Sequence, residues 1–257
     1  MSGRIEELAD WLHHQLANGG HDDILSVESD LSIDDAYRVQ FSLMQRYVSG
    51  GDRILGYKAA YTSKEMQQRF GISEPVIGTL LASNYFQEEE VIPIRAQDKN
   101  LAEPEIAFVL KNEVRGPGLC VHSLLNAIDR VIAAIEIGVV PNYPNGRSRQ
   151  MGVAEHKVTG GYVLGKTSFS VSEIDLRHES ALISRNGQPL ISGTGFNVLG
   201  NPLNAAVAIV NTVGRYGREI RAGSVLMTGS QTAGLPVFPG DDVKVEYVHL
   251  GCLDVRL

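Results

Sequence analysis

Apolar residues in the first fifty positions recur at helical spacing. Ile5, Leu8, Leu12 and Leu16 share one face, and Ala36, Val39, Leu43 and Tyr47 form a second stripe. Ser32 precedes that second stripe as a cap, Asp34 and Asp35 fall in its first turn, and Gly50-Gly51 ends it. These helices predict a small cap over residues 1–52, ahead of a main domain over 53–257. Beyond it the pattern shortens to strand-like runs at 54–61, 91–94, 102–111, 135–140 and 224–227. Val243, Val245 and Tyr247 alternate with polar residues, as do Leu253, Val255 and Leu257, so each set predicts a strand. A short helix is predicted at 63–70, stopped by Gly71, and another at 122–134 behind Ser123, with Leu125, Ile128 and Ile132 on one face. The clearest helix starts at Asn201-Pro202 and shows Leu203, Val207, Val210 and Val213 inward. Asn186-Gly187 between two runs predicts a hairpin with a type I′ turn, and Pro239-Gly240-Asp241 predicts a turn between strands. Helices and strands do not alternate regularly, which disfavours a doubly wound sheet and favours a curled mixed or antiparallel β core.

One strand carries chemistry. In Ala102-Glu103-Pro104-Glu105-Ile106-Ala107-Phe108, strand parity puts Glu103 and Glu105 on one face, with Ile106 and Phe108 on the other. Pro104 cannot donate to a ladder and predicts a strand start or edge. Glu136 is a lone acid in the apolar run Ala134-Ile135-Glu136-Ile137. Paired carboxylates near a core call for a compensating cation, and an all-oxygen set suits Mg²⁺ or Mn²⁺. Spacing alone is equally compatible with three unrelated surface acids.

Composition narrows the classes. The net charge is −7 with no cluster of Lys and Arg, which argues against nucleic-acid binding. No run approaches the roughly 20 apolar residues of a membrane span, and the amphipathic, acid-bearing start lacks a signal peptide's apolar run, so a cytoplasmic location is expected. Cys120 and Cys252 match no metal or redox spacing and are expected to be reduced and half-buried.

Several segments together resemble the fumarylacetoacetate hydrolase superfamily, in its 2-keto-4-pentenoate hydratase and 4-oxalocrotonate decarboxylase branch. They are Leu55-Gly56-Tyr57-Lys58, Gly78-Thr79-Leu80-Leu81, Glu103-Pro104-Glu105-Ile106-Ala107, Ala134-Ile135-Glu136, Leu199-Gly200-Asn201-Pro202, Met227-Thr228-Gly229 and Pro239-Gly240-Asp241. The resemblance implies an α+β fold, a rolled mixed β-sheet with flanking helices and an N-terminal helical cap, commonly assembled as a homo-oligomer. It implies a lyase acting on a small 2-oxo acid, with Glu103, Glu105 and Glu136 as metal ligands and Lys58 as a catalytic group. By the same resemblance Ser83, Thr228 and Gly229 are expected to contact substrate.

The chain also departs from the family. Ser83 stands where relatives usually carry an aspartate, Val139-Val140-Pro141 replaces a Ser-Arg pair, and Ala154-Glu155-His156 replaces Ala-Asp-Asn. Glu155 and His156 are therefore expected to take over acid–base work, and the lost aspartate points away from a standard dienoate substrate. Hydration of a 2-hydroxy-dienoate or 2-oxo-enoate is the leading expectation. A decarboxylase of a 2-oxo-3-enedioate, an acylpyruvate C–C hydrolase and a non-catalytic metabolite-binding homologue stay open.

Overall fold

A computed structural model describes residues 2–17, 31–140, 148–155 and 159–257. Its elements run α1 (Ser2–Ala17), α2 (Ile33–Ser49), β1 (Ile54–Ala60), α3 (Lys64–Phe70), β2 (Val76–Leu81), β3 (Lys99–Leu110), β4 (Val114–Arg115), α4 (Val121–Leu125) and β5 (Ile128–Val140). The chain continues through α5 (Arg149–Ala154), β6 (Thr159–Phe169), β7 (Ser180–Arg185), β8 (Gln188–Thr194), α6 (Pro202–Arg215), β9 (Glu219–Ile220), β10 (Val225–Ser230), β11 (Leu235–Val237), β12 (Asp242–Tyr247) and β13 (Cys252–Arg256).

The main sheet has the order β2-β1-β10-β3-β5-β6, with β11 also beside β3, and only β1 and β10 run parallel. After β2 the chain returns to β6. Tyr85 bridges Tyr162, and the Phe86 N–H donates to the Tyr162 carbonyl at 2.9 Å. The sheet is thereby rolled towards closure. A second sheet, β13-β12-β7-β8, packs beside it. This is the α+β rolled mixed sheet that the sequence predicts.

Strand parity sorts the core into two. Ile106, Phe108, Ile135, Ile137, Tyr57, Ala59 and Leu226 face outward into the large apolar cluster under the helices. Ala107, Val109, Ile132, Ala134, Tyr162, Val225 and Met227 face inward and form a smaller apolar plug. Each fully buried aliphatic side chain contributes roughly 1.5–3 kcal/mol. α1 and α2 add Leu8, Leu12, Val39, Leu43 and Met44 to the outer cluster. The expected boundary at residues 52 and 53 falls in the turn between α2 and β1.

Caps behave as their chemistry requires. Ser32 accepts from the Asp35 N–H at 3.0 Å, and Asn201 accepts from the Leu203 N–H at 2.9 Å with Pro202 in the first turn. Asn186 (φ 52°) and Gly187 (φ 78°) give the type I′ hairpin between β7 and β8.

Four expectations change. Residues 91–94 form no strand, only a single bridge from Val91 to Arg256. The helix expected over 122–134 stops at Leu125, and β5 takes over from Ile128. Its β-branched Ile128, Val131, Ile132 and Ile135 match a helical period by coincidence, and pairing with strands on both sides wins. Pro104 lies inside a central strand, not at an edge. On its far side β10 ends its pairing at Glu105 and β11 begins at Ala102, so the missing N–H falls in that gap. Cys120 and Cys252 are free but exposed rather than half-buried.

β2 and β6 have no strong alternating pattern, and pairing with β1 and β5 makes them strands. β6 is glycine-rich because neighbours crowd it: a Cβ on Gly161 would sit 2.8 Å from Ile92 and Phe86.

Candidate metal centre

Three backbone facts bring the acids together. Glu103 and Glu136 are direct cross-strand partners of β3 and β5, and Glu105 follows two residues on along the same face. One oxygen from each of Glu103, Glu105 and Glu136 lies within 4.8 Å of the others. Glu105 and Glu136 are buried, and Glu103 is half-buried. Lys58, buried on β1, forms an ion pair through Nζ with Glu136 Oε1.

The strands define one end of the roll. β1 and β10 run towards it, so β3 starts there, β5 ends there, and β6 and β2 start there. The apolar plug occupies the roll beneath.

Glu105 is oriented from behind. The Gly229 N–H donates to Glu105 Oε2 at 2.8 Å. Gly229 has a φ of +98°, and a Cβ there would lie 2.3 Å from Thr62 Oγ1, so the position requires glycine. Thr228 faces the other way, and its hydroxyl donates to the Ile106 carbonyl at 2.7 Å, clipping the irregular β10–β3 pairing. The buried Tyr247 hydroxyl lies 2.9 Å from the Glu105 carbonyl and 2.7 Å from the Ala134 carbonyl, so β12 pins both ligand strands.

The electrostatics call for a cation. Burial, then the Glu136 charge, push the Glu103 carboxyl up to about 7 against the opposing pull of Lys58. Burial and the neighbouring glutamates raise Glu105 well above the ordinary carboxylate range. Burial pulls Lys58 down, but Glu136 and the other glutamates more than offset it, so the ammonium stays charged. With all three carboxyls ionised, one ammonium would leave two uncompensated negative charges in a largely buried site, and the raised affinity of Glu103 and Glu105 for protons is the response to that excess. A hard divalent cation fits that charge and the all-oxygen donor set.

The other expected site residues separate. Glu155 is buried just after α5, within the connection from β5 to β6, which departs from and returns to the glutamate end. His156 lies outside the described residues. Ser83 lies just after β2. It is exposed, and its N–H donates to Asp52 Oδ1 at 3.2 Å. Leu81 pairs with Ile54 while Gly78 pairs with Lys58. That step runs about 13 Å along the strand away from Lys58, but Tyr85, two residues after Ser83, bridges Tyr162, the cross-strand partner of Glu136, so closure of the roll brings this segment back beside β6. Thr228 and Gly229 are at the centre, but both act on protein groups.

Tyr247 was legible only as one position of an alternating apolar face. A buried phenol needs a hydrogen-bond partner, and that requirement was the available signal.

No protein-family model matches the chain. It is 35% identical over 213 residues to the 2-keto-4-pentenoate hydratase of Paraburkholderia xenovorans (strain LB400), covering 82% of this chain and 79% of that protein. The structure is similar to 4-oxalocrotonate decarboxylase from Pseudomonas putida G7 complexed with magnesium and adipate, with a TM-score of 0.91 and 28% identity over 100% of this chain and 98% of that one. The fumarylacetoacetate hydrolase of Exiguobacterium antarcticum shares the fold at 16% identity, with a TM-score of 0.60 over 79% of this chain and 74% of that one. The chain belongs to the family of 2-keto-4-pentenoate hydratases and 4-oxalocrotonate decarboxylases, and it shares its fold with fumarylacetoacetate hydrolases.

Proposed function

We propose that this protein is a divalent-metal-dependent lyase that hydrates a small 2-hydroxy-dienoate or 2-oxo-enoate. The observation that carries the reading is the buried convergence of Glu103, Glu105 and Glu136 beside the Lys58 ammonium, in a chain of this family. Glu103, Glu105 and Glu136 would hold Mg²⁺ or Mn²⁺, which supplies Lewis acidity towards the carboxylate and 2-oxo oxygens of a substrate.

The chain's own groups complete the chemistry. Hydration of a dienol moves the O2 proton onto the distal carbon chain, and water then adds across the remaining double bond. Lys58 stabilises charge on O2 by hydrogen bonding, because its nearby carboxylates keep the ammonium protonated. Glu155 is the proton-transfer group towards the attacking water, since it is a buried acid in the connection between β5, which ends at the glutamate end, and β6, which starts there. Gly229 and Tyr247 hold Glu105 and its strand in place.

Decarboxylation of a 2-oxo-3-enedioate is the second reading. It is favoured by likeness over the whole chain to a 4-oxalocrotonate decarboxylase. Among the described residues no helix is long and apolar enough to cross a membrane. The reading includes a cytoplasmic homo-oligomer, which sedimentation of the purified protein tests.

The decisive assay incubates Mg²⁺-loaded protein with 2-hydroxydienoates, 2-oxo-enedioates and acylpyruvates. Loss of dienol absorbance without carbon dioxide supports the hydratase. Carbon dioxide release supports the decarboxylase, and pyruvate plus a carboxylic acid a hydrolase. No turnover across the panel contradicts the enzymatic reading.

Glu103 also sets a pH dependence. Its folded carboxyl lies near 7, above the ordinary 4.5, so the folded state binds the extra proton. Stability of the ion-free protein therefore loses that contribution as pH rises through this window. Mg²⁺ competes with the same proton, so the Mg²⁺-induced rise in Tm is expected to be larger at about pH 8 than at about pH 5.5. Equal rises in differential scanning fluorimetry would contradict the assignment.

A further inference from the structure

The connection between β5 and β6 starts and finishes at the glutamate end of the roll. Within it, α5 turns Met151, Val153 and Ala154 into the outer apolar cluster and leads directly to buried Glu155. A helix of six residues has little stability of its own. Its placement depends on what the rest of the fold offers it.

Gln40 of α2 offers a specific tether. Its side chain is fully buried. Nε2 donates to the Val153 carbonyl at 2.7 Å and to the Ile77 carbonyl at 3.1 Å, while Oε1 accepts from Thr79 Oγ1 at 3.4 Å. In the β2–β1 ladder Ile77 lies opposite Ala59, and the next residue, Gly78, lies opposite Lys58. One amide thus joins the strand beside Lys58 to the turn two residues before Glu155. An apolar side chain of similar volume would pack α2 against β2 without the cost of desolvating an amide. The amide makes sense where direction, not only packing, must be fixed.

We propose that Gln40 is a positioning residue for catalysis. It sets Glu155 relative to Lys58 by holding the Val153 carbonyl and the β2 backbone together, and it does not contact substrate. The claim rests on Glu155 being the proton-transfer group of the site described above.

The test compares Mg²⁺-loaded wild type, Gln40→Met, Glu155→Gln and the double variant. Gln40→Met keeps the volume and removes both donors. It is expected to lower kcat at least tenfold, with KM and Mg²⁺ affinity changed less than about twofold. Hydrogen exchange at the amides of 153–155 is expected to accelerate. Because Gln40 acts through Glu155, the double variant is expected to be no slower than Glu155→Gln alone. Should Gln40→Met fail to fold, Gln40→Glu gives the same kcat loss at neutral pH. Its activity then recovers partly as pH falls, when the carboxyl regains a proton to donate.

Wild-type kcat in the folded single variants, or kcat losses that multiply in the double variant, would overturn the proposal. Absence of any turnover by the wild type defeats the underlying reading of the site and the proposal with it. That outcome is distinct from an active wild type whose Gln40 variants are unaffected.

Discussion

Glu105→Gln is expected to reduce Mg²⁺ affinity by about 100-fold or more and to reduce turnover correspondingly, while the fold survives. The substituted amide oxygen can still accept from the Gly229 N–H, which bonds Glu105 Oε2 at 2.8 Å, so the β10–β3 junction keeps its clip. The charge is what disappears. Glu105 is held well above the ordinary carboxylate range by burial and by Glu136 and Glu103, so its ionised form is under repulsion in the ion-free protein. Removing that charge relieves the repulsion. The ion-free variant is therefore expected to melt at or above the wild-type temperature at about pH 8, with its Mg²⁺-induced rise in Tm lost. Calorimetric titration with Mg²⁺ and paired melting curves check both halves. A variant that binds Mg²⁺ normally, or unfolds outright, contradicts the assignment.

Lys58→Met separates two roles that Glu105→Gln merges. Its ammonium pairs with Glu136 Oε1 and is buried. Removing it leaves three carboxyls, two of them buried, without the cation beside them, so the ion-free variant is expected to lose about 3–5 kcal/mol of stability. Mg²⁺ restores that loss. Glu136 no longer shares its oxygen with an ammonium, so Mg²⁺ affinity is expected to rise about tenfold, or 1.4 kcal/mol. Turnover nevertheless is expected to fall by a factor on the order of 10²–10⁴, because the charge-stabilising donor at the substrate oxygen is gone. Tighter metal binding with slower chemistry distinguishes this account from one in which Lys58 is only a structural counter-ion. A variant with weaker metal binding and unchanged kcat would oppose it.

Much of this was legible in the sequence because the site uses regular elements. Parity on one strand puts Glu103 and Glu105 on a common face, and the lone Glu136 in an apolar run marks the neighbouring strand. Parity could not say that Glu103 and Glu136 are direct partners, since register is a tertiary property. The two helices of the N-terminal region, the Asn186-Gly187 turn and the Asn201-Pro202 start were readable because capping and turn residues act locally.

Elements set by distant partners were not. Residues 128–134 have a helical spacing, yet β5 needs them to match the length of β3. Ser83 was named from a family pattern alone, and its N–H contact with Asp52 depends on the β2–β1 pairing, which no local signal announces. Pro104 suggested an edge, and only the gap between β10 and β11 explains a proline in a central strand. Gln40 and Tyr247 escaped notice because each acts on backbone carbonyls far away in sequence, through hydrogen bonds that no local pattern announces.

The most direct measurement is crystallographic: crystals soaked with Mn²⁺ and oxalate, with data collected to locate manganese by its anomalous scattering. The account predicts one strong peak enclosed by carboxyl oxygens from Glu103, Glu105 and Glu136, with oxalate bound to the same ion. A peak elsewhere, or oxalate bound away from these three side chains, would contradict it.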